Sequence, residues 1–269
     1  MFVTRALTAL ALLLIFAAAL FFLPQSLWAI ALLPALLIAA AEWAALSGYG
    51  KAGRAIYVLL VGGSALALFF LGSRSSARAS PIELAAYGLS CAFWIGLAPF
   101  WLKGHWTVRS PAALGFAGWI ALVPMWLALV RLQPQPYVLL MFMGVVWIAD
   151  TAAYLAGRQW GRRKLAPRIS PGKSWEGVAG AAAALGAYYA ALWWLVPESQ
   201  RVFPAVAGLA LFAVLLPLSI AGDLFESWMK RQAGVKDSGH LLPGHGGLLD
   251  RIDGLTSTIP AAALAFYLR

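Results

Sequence analysis

Residues Phe203 to Leu224 read FPAVAGLALFAVLLPLSIAGDL, 22 positions with no charge before Asp223. A helix of that length rises about 33 Å and crosses a hydrocarbon core of about 30 Å. The stretch therefore predicts a transmembrane helix that ends on a carboxylate. The chain then turns abruptly polar, with Ser227 to Asp253 reading SWMKRQAGVKDSGHLLPGHGGLLDRID. An apolar span delivered into a run of charge, glycine and histidine predicts a membrane protein whose chemistry is concentrated at helix ends.

Outward from this stretch the same apolar pattern recurs. Nine spans are predicted: Ala6 to Leu23, Ser26 to Leu46, Gly53 to Leu71, Ile82 to Leu102, Ala112 to Leu132, Tyr137 to Ala156, Trp175 to Val196, Phe203 to Leu224 and the shorter Gly254 to Leu268. Composition agrees, with 62% hydrophobic and 11% charged residues and a mean hydropathy of +0.80. A soluble domain of this length needs a charged surface that such a chain cannot supply. Leu, Ala and Trp run continuously through the spans instead of alternating with polar residues, so backbone groups must be satisfied within helices and not in a lipid-facing barrel. The expected fold is an all-α polytopic membrane protein.

Orientation follows from the Lys and Arg count. With the amino terminus in the cytoplasm, 15 of the 20 basic residues fall on the cytoplasmic side and five on the other, the bias that sets topology. The formal charge of +10 resides in short loops, where it sets topology and attracts anionic head groups, so no nucleic-acid partner is expected. Arg5 followed by an apolar stretch with Ala17, Ala18 and Ala19 resembles a cleaved leader. The stretch runs past any plausible cleavage point, however, and its removal would reverse the charge count, so it is read as a span. Cys91, the only cysteine, excludes an internal disulfide and reads as a buried inert thiol. Gly72 to Pro81 and Lys103 to Pro111 read as surface loops. The chain is expected to form one membrane domain over 1–269, with 1–149 mainly scaffold, 150–253 carrying the catalytic loops and helix ends, and 254–268 the last span.

Of the ten Asp and Glu residues only Glu42 and Glu83 precede Asp150. The first polar constellation, Asp150 to Gly177, is DTAAYLAGRQWGRRKLAPRISPGKSWEG. Asp150 ends an apolar helix and Tyr154 follows one turn later on the same face. Five basic residues, Arg158, Arg162, Arg163, Lys164 and Arg168, precede Ser170-Pro171-Gly172-Lys173-Ser174, which is expected to open the next helix. Cations followed by small residues at a helix start suit a polyphosphate, because guanidinium groups and free backbone N–H groups both bind its oxygens. Arg162, Arg163 and Lys164 serve equally as membrane-surface anchors. Glu176 is either part of the site or a capping-box partner of the Ser174 turn.

In the second constellation Asp223, Glu226 and Ser227 share one helix face. An ionisable residue at membrane depth is costly enough to be functional by default. Glu226 has an intrahelical partner in Lys230 at i+4, whereas Asp223 has no such local cation. Gly244, Gly246 and Gly247 around His245 permit a nest of backbone N–H groups for phosphate oxygens. Asp250 and Asp253, at i and i+3 where the last helix begins, join Asp223 as hard oxygen ligands of the kind Mg2+ takes. Zinc is not expected, since one cysteine and three histidines lack zinc-motif spacing. His245 is either a general base or a hydrogen-bond donor to phosphate.

Ser227-x-Met229-Lys230-Arg231, Lys236-Asp237-x-Gly239 and Leu242-Pro243-x-His245-Gly246-Gly247-Leu248-x-Asp250-Arg251-Ile252-Asp253 together resemble the signature of phosphatidate cytidylyltransferases, the CDP-diacylglycerol synthases. Asp150, Tyr154, Gly157-Arg158, Gly161 and Ser170-Pro171-x-Lys173-Ser174-Trp175-Glu176-Gly177 extend the resemblance upstream, and Gly172 departs from a lysine common in that family. The resemblance implies transfer of a cytidylyl group from CTP to phosphatidate, a requirement for Mg2+ with K+ as a second metal, a homodimer, and a bacterial inner membrane location with the site facing the cytoplasm. It also implies metal ligation by Asp223 and Asp250. On this basis Asp223, Asp250 and Asp253 are the expected metal residues. Asp223, Asp250, Lys173, Lys236 and His245 are the expected catalytic set. Arg158, Ser170, Lys173, Ser174, Lys230, Arg231, Lys236, Gly244, His245, Gly246, Gly247 and Arg251 are expected to bind substrate. A CTP-dependent lipid kinase, or a cytidylyltransferase for another lipid phosphate, is the alternative. A transporter would place polar groups mid-helix, often in repeats, and here they gather at helix ends.

Overall fold

A computed structural model describes residues 14–72, 78–196, 202–239 and 246–269. Residues 14–22 are helical; the first eight positions of the predicted span Ala6 to Leu23 lie outside the described residues, as do Gly244 and His245. The helices that follow are α1 (Gln25–Leu46), α2 (Lys51–Leu71), α3 (Pro81–Cys91), α4 (Ala98–Gly104), α5 (Pro111–Leu132), α6 (Pro136–Trp160), α7 (Trp175–Leu195), α8 (Ala205–Gln232) and α9 (Leu249–Leu268). A wider π-helical turn, Ala92–Leu97, joins α3 to α4. It lies just ahead of Pro99, which has no N–H to bond back into the preceding turn.

Local sequence sets the helix starts. Ser80 closes a capping box with Glu83 around Pro81, and Ser110 accepts from the Ala113 N–H beside Pro111. Proline in the first turn sacrifices only a donor that had no helical partner. Among the described residues seven helices, with α3, the π-turn and α4 taken as one, are long and apolar enough to cross a membrane. These are seven of the nine expected spans; the first, Ala6 to Leu23, lies partly outside the described residues, and α9 is not among the seven. α9 tolerates its Thr and Ser residues because it runs inside the bundle: Thr256, Ser257 and Thr258 are buried, and their hydroxyls donate to carbonyls, Ser257 to Leu218 at 2.7 Å and Thr258 to Gly254 at 2.8 Å.

α9 packs against α3, α5, α6 and α8, while α6 packs chiefly on α7 and α1 on α2 and α5. The outer surface is apolar: Trp194 is 80% and Val206 81% exposed. Water would penalise such a surface and lipid does not, which identifies an integral membrane protein. The all-α expectation needs one correction. Lys164–Ala166 (β1) and Ser170–Ser174 (β2) form an antiparallel hairpin with an irregular register, Lys164 opposite Ser174 and Ala166 opposite Ser170. Lys173 thus lies on a strand immediately before α7 and not in a helical turn. Pro171 is tolerated because a two-stranded ribbon leaves outward N–H positions unpaired.

Candidate active site

The hairpin, the end of α6, the starts of α7 and α9 and the middle of α8 enclose a cavity of about 640 Å³. Asp150 and Arg158 enter it from α6, Lys164, Ser170, Lys173 and Ser174 from the hairpin, Asp223 from α8, and Asp250 and Asp253 from α9. Part of its wall is apolar, with Leu216 and Ile220 of α8 and Val178 and Ala181 of α7. A polar rim over an apolar wall suits an amphipathic substrate with a charged head.

Cations already engage the carboxylates. Lys173 forms an ion pair with Asp223, and Lys230 bridges Glu226 and Asp250. The predicted i to i+4 pairing of Glu226 with Lys230 is present, extended to a third residue. Asp250 Oδ2 accepts from the Ser238 N–H at 3.0 Å, the Ser238 hydroxyl at 3.0 Å and the Gly247 N–H at 2.8 Å. Gly246, with φ of 80°, supplies the left-handed turn ahead of that bond. Asp253 lies within electrostatic reach of Asp223, Asp150 and Lys173, and Ser227 donates to Asp223 at 3.4 Å.

Other predicted site residues stand outside the cavity wall. Lys230 is buried in its bridge. Arg231 donates to the Ile169 carbonyl at 3.3 Å and so pins the hairpin turn to α8. Lys236 and Arg251 are exposed beyond the wall. Glu176 makes no capping box: Ser174 caps α7 through the Gly177 N–H at 3.2 Å, while the Glu176 carboxylate accepts from the N–H groups of Arg162 and Arg163.

The supposed scaffold half holds the site from behind. Phe225, fully buried on α8 between Asp223 and Glu226, is ringed by Trp43, Phe93, Trp94 and Trp101 at centroid distances of 5.2 to 6.2 Å. The Trp106 carbonyl accepts from the indole N–H of Trp228 at 3.0 Å, and the Gln232 side chain accepts from the Val108 N–H at 2.9 Å. Glu42 of α1 reaches the chain around Ser238 and Leu249. Sequence reasoning passed over Glu42, although a lone carboxylate in an apolar span was a usable signal.

A sequence model of the cytidylyltransferase family matches residues 3–268. This chain belongs to that family. The phosphatidate cytidylyltransferase of Pseudomonas aeruginosa is 38% identical to it over 273 residues, covering 96% of this chain and 94% of that protein. Proteins of the same name from Brucella suis and Haemophilus influenzae are 48% and 44% identical over 136 and 131 residues, 50% and 46% of this chain and 47% and 43% of theirs. The resemblance read from the Ser227 to Asp253 signature is thereby borne out.

The cytidylyltransferase cavity sets four carboxylates, Asp150, Asp223, Asp250 and Asp253, against three cations, Arg158, Lys164 and Lys173. Among the described residues no three acidic, histidine or cysteine groups close on one point. Mg2+ does not require that, since it is commonly held by one or two carboxylates with waters and substrate phosphates. The donor set fits, with a lysine ammonium paired to each of Asp223 and Asp250.

Proposed function

We propose that this cytidylyltransferase joins CTP to phosphatidate, giving CDP-diacylglycerol and pyrophosphate. The observation that carries the reading is the cavity itself, where a rim of carboxylates and cations meets the apolar wall of Leu216, Ile220, Val178 and Ala181. A nucleoside triphosphate needs the first and a lipid needs the second. In the reaction a phosphate oxygen of phosphatidate bonds to the α-phosphorus of CTP, and the bond from that phosphorus to the β-bridging oxygen breaks to release pyrophosphate. A phosphate monoester has its second pKa near about 6, so the nucleophile is already a dianion at neutral pH and no general base is needed.

The protein's part is positioning and charge balance. Asp223 and Asp250 would hold Mg2+, with Asp253 beside them; the ion would supply neutralisation of phosphate charge. Lys173, on a strand against Asp223, would bind a phosphate oxygen at the same rim. Arg158, Ser170 and Ser174 line that rim with it. The excess of Lys and Arg on the site end of the bundle supports a cytoplasmic active site in a bacterial inner membrane, and the lipid would enter between helices with its acyl chains still in the bilayer.

Incubation of the purified protein with phosphatidate, Mg2+ and CTP labelled at the α- or the γ-phosphate tests the reaction. Label from the α position in the lipid is expected, with pyrophosphate released; γ label in the lipid would make the enzyme a kinase instead. Lys173→Met is expected to lower kcat/KM for CTP by about 10- to 100-fold, the worth of a charge-assisted bond of about 1.5–3 kcal/mol. Steady-state kinetics with wild-type values would remove Lys173 from the phosphate site.

A further inference from the structure

α9 carries Asp250 and Asp253, yet it begins without a capping side chain of its own. Leu248 and Leu249 at its start have N–H groups with no helical partner, as every helix amino terminus does. Both bond to Glu42 of α1, Leu248 to Oε1 at 3.0 Å and Leu249 to Oε2 at 2.9 Å, across more than 200 positions of sequence. A buried carboxylate therefore caps α9 from another helix, where the helix dipole favours a negative charge.

The same carboxylate is linked to Asp250 by one atom. The Ser238 hydroxyl lies 3.0 Å from Glu42 Oε2 and 3.0 Å from Asp250 Oδ2. It has a single proton, so it donates to one carboxylate at a time and holds both to a fixed spacing. Two glycines make room for this. A Cβ at Gly247 would stand 2.6 Å from Glu42 Oε2 and collide with Ser238 Oγ, and one at Gly239 would collide with Glu42 Oε1. These contacts account for glycine at both positions of the polar run.

We infer that Glu42 is a positioning residue for Asp250: it fixes the first turn of α9 and the Ser238 hydroxyl, and through them the direction in which Asp250 offers its carboxylate to a divalent cation. The inference rests on Asp250 binding the metal. Groups that orient a metal ligand typically alter affinity by about 10- to 100-fold when removed.

The test uses full-length protein in detergent and two readouts: Mn2+ binding without nucleotide, followed by the electron paramagnetic resonance signal of free Mn2+, and the Mg2+ concentration giving half-maximal CDP-lipid formation. Glu42→Gln keeps the side-chain shape but sets an amide where both oxygens now accept. It is expected to weaken Mn2+ binding per folded molecule by about tenfold and to raise the Mg2+ half-point similarly, with activity recovering as Mg2+ is added. Ser238→Ala, which leaves the Glu42 carboxylate and its backbone bonds intact, is expected to shift both in the same direction and decides the matter if Glu42→Gln folds poorly. A variant that folds and keeps wild-type Mn2+ affinity and Mg2+ half-point overturns the inference. Asp250→Asn in the same binding assay separates the two claims. If it retains full Mn2+ binding, the metal assignment fails; if it loses binding while Glu42→Gln and Ser238→Ala do not, only the role of Glu42 fails.

Discussion

Asp250→Asn is expected to reduce CDP-lipid formation by at least about a thousandfold, and Asp223→Asn to do the same. The substitution preserves shape and one carbonyl oxygen but removes the charge. A metal that neutralises transferring phosphates contributes several kcal/mol to the transition state, and each 1.36 kcal/mol is about tenfold in rate. Folding should survive in both variants. In Asp250→Asn, Lys230 keeps Glu226 as its partner, and the N–H groups of Ser238 and Gly247 keep an oxygen to meet. In Asp223→Asn, Phe225 remains seated among its four aromatic neighbours. Activity assays beside thermal unfolding in detergent distinguish lost chemistry from lost fold. Near-normal activity in either variant would sink the metal assignment.

The helices were legible because lipid imposes a simple rule on composition, and their ends were not because hydrogen bonding imposes a different one. The reading stopped the Phe203 span at Leu224, where charge begins. α8 runs on to Gln232, carried by the Glu226 to Lys230 pair and by Trp228 and Gln232 anchoring to residues 106 and 108. The last helix starts at Leu249, ahead of its apolar span and with Asp250 at its start as read, and it is capped by a residue more than 200 positions away that no local pattern announces. The hairpin escaped notice because strands of three and five residues are too short for an alternating pattern, and Pro171 and Gly172 read as a loop.

The carboxylates of the site were legible on energetic grounds, since a charge in an apolar context demands a reason. Of their partners only Lys230, at i+4 from Glu226, was. Lys230 reads as a phosphate ligand in sequence, yet three-dimensional packing places it in a bridge between Glu226 and Asp250. Arg231 likewise holds the hairpin turn. Phe225 could not stand out as one apolar residue among many, although it is the contact that ties the site helix to α1, the π-turn and α4. The division into scaffold and catalytic halves therefore describes where the charges lie and not where the site is built.

Arg131→Met is expected to be the most destabilising single change away from the site. Arg131 at the end of α5 pairs with Glu83 in the first turn of α3, and the side chains are 7% and 0% exposed. The guanidinium also donates to the Phe69 carbonyl at 2.7 Å and sits 4.8 Å from the Phe69 ring centre. The Arg131 carbonyl accepts from Tyr267 at 2.8 Å, so α2, α3, α5 and α9 meet at one residue. Removing the cation takes away the buried carboxylate's ion pair with Arg131, at a cost of about 3–5 kcal/mol. Unfolding in detergent micelles should show that loss, with kcat per folded molecule unchanged because neither residue lines the cavity. Glu83→Gln combined with Arg131→Met should regain much of it, since the charge left behind is then gone. A double variant as unstable as the single one would assign the loss to Phe69 and packing instead. A single variant within about 1 kcal/mol of wild type, the range of exposed pairs, would mean that the pair does not hold this end of the bundle together.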